Sequence, residues 1–130
     1  MSTAPSEWQV LVIEDEPHGM ELMRDILAYH GIHTQGVTSA EEALEALTDM
    51  SPTLVLVDLA LPGMDGWAFL KEVLKDQRFK LIPFVAVTAY HSAGMAAKAA
   101  EAGFTAFFPK PLNALTFVND LESIVQTKLY

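Results

Sequence analysis

Four short apolar runs in this 130-residue chain end on, or lead into, side chains equipped for chemistry. Gln9-Val-Leu-Val-Ile13 runs into Glu14 and Asp15, Leu54-Val-Leu-Val ends on Asp58, Phe84-Val-Ala-Val ends on Thr88, and Thr105-Ala-Phe-Phe108 leads into Lys110. Carboxylates brought together at such ends repel by about 4 kcal/mol per pair at 4 Å and an effective dielectric of 20, so they need a cation or raised pKa values. An all-oxygen set of this kind suits Mg²⁺, which keeps several waters and takes one or two carboxylates plus a phosphate oxygen. A carboxylate left open beside a divalent ion can attack phosphorus and form an aspartyl phosphate. In-line transfer then asks mainly for neutralisation of the three equatorial oxygens. Mg²⁺, Lys110, and the Thr88 hydroxyl with nearby backbone N–H groups supply one partner for each.

The elements between these ends follow from periodicity. The run 9–14 is β-branched and apolar enough for a strand buried on both faces. Pro17 suits the first turn of a helix carrying Met20, Met23, Leu27 and His30 at helical spacing, and Gly31 ends it. His33 to Val37 is a weaker strand. Ser39-Ala-Glu-Glu42 is a capping box that opens a helix with Ala43, Leu44 and Leu47 inward, stopping before Pro52. After the strand 54–58, the segment 59–66 is turn chemistry, and Trp67, Leu70, Val73 and Leu74 mark a third helix. An alanine-rich helix is expected from Ser92 to Ala102, closed by Gly103, and a last one with Leu115, Val118, Leu121 and Val125 as its stripe. The order is (βα)5 with short connections. Alternation of this kind implies an α/β fold: a doubly wound, five-stranded parallel sheet in flavodoxin-like order 2-1-3-4-5, with ligands at the carboxyl ends of the strands.

Composition narrows the function classes. A 51% hydrophobic content is too high for a disordered acidic tail, and the absence of Cys excludes disulfides, thiolate catalysis and Cys-ligated metals. The longest uncharged run, Leu81 to Ala97, is interrupted by Pro83, His91 and Gly94 and is too short for a membrane span; the N-terminus lacks the layout of a signal peptide. A soluble cytoplasmic protein is the expectation. The net charge of −9 disfavours nucleic acid. Residues 1–65 hold 12 acids and one base, Arg24, a balance of −11 that gains meaning only if the acids converge.

The pieces Leu-Val-Ile-Glu-Asp-Glu (11–16), Val-Leu-Val-Asp-Leu-Ala-Leu-Pro-Gly-Met-Asp-Gly (55–66), Val-Ala-Val-Thr-Ala (85–89) and Phe-Phe-Pro-Lys-Pro (107–111) stand in the order and spacing of one family. The chain resembles the receiver domain of two-component response regulators, the CheY-like family, from about Gln9 to Val125. A receiver domain over 9–128 after an N-terminal extension 1–8 is expected. The resemblance implies that Asp58 is the phospho-acceptor and also a ligand to Mg²⁺, that Asp15 binds the ion directly and Glu14 through water, and that Ala60 offers its backbone carbonyl to the metal. It implies that Thr88 and Lys110 contact the phosphoryl group, that Phe107 rotates inward on activation, and that the Lys110–Pro111 peptide is cis. The implied partners are a sensor histidine kinase or histidine phosphotransfer protein, then a downstream protein target or a second copy of the chain. The face of the fourth helix, fifth strand and fifth helix would change between states. His18, Gly19, Met20 and Leu22 form an apolar patch suited to a kinase, and an end at Tyr130, right after the last helix, leaves two expectations: output by protein contact, or a piece of a longer regulator.

Other residues read more plainly. Asp65 is expected to shape its turn through its own backbone, and Glu16 to be solvated at a helix start. His18, His30, His33 and His91 lie in different elements with no metal-ligand spacing and read as surface or boundary residues. Ala60 has no group to orient a hydrolytic water and Tyr90 is large enough to shade the phosphoryl group, so both point to slow self-hydrolysis. Two rival functions remain beside the switch: a receiver that only docks, and a haloacid-dehalogenase-type phosphatase, which wants a second carboxylate where Ala60 stands. A flavodoxin would need a phosphate-cradling loop after the first strand, where acids stand instead.

Overall fold

The computed structural model describes residues 4–89 and 92–129. The elements run β1 (Gln9–Ile13), α1 (Pro17–Tyr29), β2 (His33–Val37), α2 (Ala40–Ala46), β3 (Leu54–Asp58), α3 (Gly66–Val73), β4 (Phe84–Thr88), α4 (Met95–Ala102), β5 (Ala106–Pro109) and α5 (Phe117–Leu129). The strands form one parallel sheet in the order β2-β1-β3-β4-β5, as the alternation predicts. Each central strand is apolar along its whole length because both faces are covered. Val10, Val12, Leu54, Leu56, Val85 and Val87 pack under α1 and α5 with Met23, Leu27, Phe117 and Leu121. Leu11, Ile13, Val55, Val57 and Ala86 pack on the other face with Ala43 of α2, Leu47 at its C-terminal cap, Phe69 and Leu70 of α3 and Ala99 of α4. Trp8, just ahead of β1, is 1% exposed and belongs to the first of these layers.

Local chemistry sets the helix starts. The Ser39 hydroxyl accepts the Glu42 N–H at 3.1 Å, while the Glu42 carboxylate takes the N–H and hydroxyl of Thr38 at 2.9 and 2.7 Å. These bonds hold the Glu42 carboxyl below its usual range. Ser39→Ala is expected to lower stability by about 1 kcal/mol, read as a shifted urea midpoint at unchanged slope. Glu16 and Asp65 do more than the sequence implies: each is an N-cap, Glu16 accepting the Gly19 N–H at 2.9 Å and Asp65 the Ala68 N–H at 2.8 Å. The turn role expected of Asp65 is thus a helix cap on α3.

Two helix starts and one buried face differ from the sequence reading. The helix expected from Ser92 begins at Met95, because Gly94 takes a left-handed φ of 84° and no side chain caps the start. Leu115 is 89% exposed and lies ahead of α5; Phe117, 1% exposed, takes the core position instead. Phe69 is fully buried on α3, whereas Trp67 and Leu74 are only half-buried. His18, His30 and His33 are exposed as expected, and His91, like Tyr90, lies outside the described residues. Among the described residues no helix is long and apolar enough to cross a membrane.

Candidate functional site

The acidic side chains meet because β1 and β3 are neighbours in register. Val12 pairs with Leu56 and Ile13 with Val57, so Glu14 and Asp58 occupy the next step at the carboxyl edge. One oxygen each from Glu14, Asp15 and Asp58 lies within 4.8 Å of the others. Glu14 is fully buried and Asp58 is 6% exposed, while Asp15 faces solvent. The cluster therefore has a sealed floor and one open side.

Lys110 closes the site from β5. Its N–H bonds the Thr88 carbonyl at 2.9 Å, the Lys110–Pro111 peptide is cis, and its ammonium donates to Asp58 Oδ2 at 3.2 Å and to Glu14 Oε1. The other Asp58 oxygen, Oδ1, accepts the Ala60 N–H at 2.9 Å. Thr88 is fully buried at the end of β4, where β4 pairs with β3 through Val87 and Asp58. Phe107 is half-buried against the α2–α4 side of the core. Tyr90 lies outside the described residues.

Two glycines, read from the sequence only as part of an apolar patch (Gly19) and of a turn (Gly66), shape this site by close approach. A Cβ on Gly66 would stand 2.7 Å from the Asp58 carbonyl oxygen and 2.8 Å from Leu59 Cα; one on Gly19 would stand 2.6 Å from Glu14 Oε1. Gly66 closes the Pro-Gly-Met-Asp-Gly turn, which was legible as turn chemistry but not as a close approach to the strand end. Glu41 of α2 also reaches the same loop, accepting the Met64 N–H at 3.4 Å.

Burial is the chief force on Glu14 and raises its pKa, helped by the adjacent Asp58 carboxylate and opposed by Lys110. Burial also acts on Lys110, to lower its pKa, but bonding to Glu14 and the charges of Asp58 and Glu14 outweigh it and leave it raised. A raised carboxyl pKa means that the folded state disfavours the charged form. The stability tied to Glu14 is complete below its unfolded value and is lost as pH rises through the folded one. In EDTA, Glu14→Gln is therefore expected to melt higher than the parent near neutral pH, with the difference shrinking on acidification. Parallel melts across pH 4–8 check this; a difference independent of pH would contradict it.

The buried acids and the lysine stand at the switch-point edge of a doubly wound parallel sheet, the place where open α/β sheets bind their ligands. The family profile of the response regulator receiver domain matches residues 10–122. The chain belongs to that family. It is 31% identical over 114 residues to the polar-differentiation response regulator DivK of Brucella ovis, spanning 88% of this chain and 93% of DivK. Its fold matches a response regulator from Chloroflexus aurantiacus at a TM-score of 0.86 and 25% identity, covering 92% of this chain and 98% of that one. It likewise matches the receiver domain of the sensor histidine kinase PA1611 from Pseudomonas aeruginosa, at a TM-score of 0.84 and 21% identity over 92% and 98% of the two chains. That structure is described as holding a magnesium ion in its active-site cleft.

Proposed function

We propose that this receiver domain works in the cytoplasm as a phospho-accepting switch, taking a phosphoryl group from a histidine kinase or histidine phosphotransfer protein onto Asp58. The observation that carries the reading is the position of the Asp58 carboxylate. It is 6% exposed, 3.2 Å from the Lys110 ammonium, and within 4.8 Å of two further acids.

The donor set fits Mg²⁺. It is all oxygen, it carries excess negative charge with Lys110 as its described cation, and Asp15 stands on the solvent side, where bound waters are retained. Asp15 and one Asp58 oxygen would bind directly, Glu14 through water, and the Ala60 carbonyl would complete the protein's share, leaving the other Asp58 oxygen to attack phosphorus. Bound there, Mg²⁺ would supply charge neutralisation for the acids and for the phosphoryl oxygens. The protein's own residues do the rest. An Asp58 oxygen attacks phosphorus as the bond to the donor histidine nitrogen breaks. The Ala60 N–H keeps the Asp58 carboxylate oriented. Lys110 offers its ammonium to one phosphoryl oxygen and Thr88 its hydroxyl to another.

Drawing Thr88 toward the phosphoryl group frees space behind β4, and Phe107, packed at the edge of the core, is the side chain positioned to use it. The face of α4, β5 and α5 then differs between the two states and is read by a protein target. Incubation with acetyl phosphate and Mg²⁺, read by intact mass, is expected to add one phosphoryl group. The gain should be absent in Asp58→Asn and after chelation. No gain from acetyl phosphate or from a phosphorylated phosphotransfer domain would leave a receiver that only docks.

A further inference from the structure

A cleft of about 620 Å³ opens beside Asp58, walled by Asp15, Ala60 and Thr88 on the site's side and by Trp67, Met95 and Lys98 on the other. Its outer wall is built. The Trp67 ring is held edge-on by Phe104, with centroids 5.8 Å apart at 79°, and Phe104 is 4% exposed. The Lys98 ammonium rests over the Trp67 ring, 5.1 Å from its centroid. A cation over an aromatic face is attracted by the ring quadrupole yet keeps its outward N–H groups for another partner. Lys98 is the cation among the lining residues, facing an edge otherwise set by Asp15 and Asp65.

In-line transfer places the nucleophile and the leaving group on opposite sides of phosphorus. For a small donor reacting at Asp58, the departing group must point away from the Asp58 carboxylate, and the cleft bordered by Asp15, Ala60 and Thr88 is open space next to that residue. We infer that the cleft is a leaving-group subsite for small acyl phosphates, with Lys98 meeting the carboxylate that departs. The inference rests on Asp58 being the acceptor. An Asp58 oxygen forms the new O–P bond, the acyl O–P bond breaks, and its electron pair stays on the acyl oxygen. The product is a free carboxylate and no proton is required. The anion develops on the side where Lys98 stands, so the ammonium stabilises the transition state more than the neutral acyl oxygen of the ground state.

The test compares two donors whose leaving groups differ in charge. Acetyl phosphate releases acetate, whereas phosphoramidate, already protonated on nitrogen, releases neutral ammonia. Pseudo-first-order phosphorylation with Mg²⁺ is followed by intact mass for the parent, Lys98→Met and Lys98→Arg. The ratio of the acetyl phosphate rate to the phosphoramidate rate is expected to fall about three- to fivefold in Lys98→Met, the upper end of what an exposed ion pair gives. It should be kept in Lys98→Arg, and the parent's ratio should decline as salt screens the charge. An unchanged ratio in Lys98→Met overturns the inference, whether both rates drop together, as a merely structural role for Lys98 would produce, or neither does. Failure of the parent to take a phosphoryl group from either donor is a different result: it removes the acceptor reading itself, and this subsite with it.

Discussion

Without Mg²⁺, Lys110→Met is expected to unfold about 2–3 kcal/mol more easily than the parent, and saturating Mg²⁺ to restore most of the difference. Removing one partner of a buried ion pair typically costs about 3–5 kcal/mol because the remaining charge is stranded. The Lys110 side chain is 22% exposed, so solvent reduces that figure, but its partners Glu14 and Asp58 have side chains at 0% and 8%. Methionine keeps most of the stem's apolar contact and removes only the charge, which separates electrostatics from packing. Adding Asp58→Asn to Lys110→Met should recover stability without metal, since one stranded acid is neutralised. Urea midpoints in EDTA and in Mg²⁺ for the three proteins decide the matter. A Lys110→Met loss that neither Mg²⁺ nor Asp58→Asn relieves would mean the lysine acts through packing rather than charge.

Gly66→Ala is expected to cost about 3 kcal/mol, the upper end of what overpacking produces, and to slow phosphorylation of Asp58 as well. Both close contacts of its added Cβ, 2.7 Å to the Asp58 carbonyl oxygen and 2.8 Å to Leu59 Cα, are with backbone, so no rotamer change relieves them. Either β3 or the start of α3 must shift, and β3 carries the Asp58 carboxylate. The Gly66 N–H also bonds the Leu59 carbonyl at 3.1 Å, which ties the same two segments together. Gly94→Ala is the informative control: its Cβ would meet nothing within 4 Å, so only its φ of 84° opposes the change. A roughly 1 kcal/mol loss with unaltered phosphorylation is expected there. Equal effects of the two substitutions on phosphorylation would show that Gly66 does not position Asp58.

The fold was legible in the sequence because its strongest signals are local and repeated. β1, β3 and β4 are apolar on both faces, a pattern that only a sheet covered by helices on both sides accommodates, and the alternation with helices leaves few topologies. The gathering of Glu14, Asp15 and Asp58 was legible for the same reason, since neighbouring parallel strands bring their carboxyl ends together. The misread ends of α4 and α5 come from single residues. Gly94 in a left-handed conformation and the choice of Phe117 over Leu115 for the core depend on how the chain arrives at the helix, which periodicity does not encode.

What the sequence by itself determined was which residue types stand at the carboxyl edge and in what strand order, because continuous apolar runs and short connections between alternating elements constrain both. The tertiary structure decided what those residues meet. The Lys110 ammonium lies between Glu14 and Asp58, 96 and 52 residues away in the chain. Gly66 leaves room for the Asp58 carbonyl, Glu16 and Asp65 are helix caps, and Lys98 sits over Trp67 at the rim of the cleft. Contacts of this kind are set by ångström-scale packing between elements distant in sequence, and the raised pKa values of Glu14, through burial, and of Lys110, through pairing with its acids, follow from that packing rather than from any local stretch of residues.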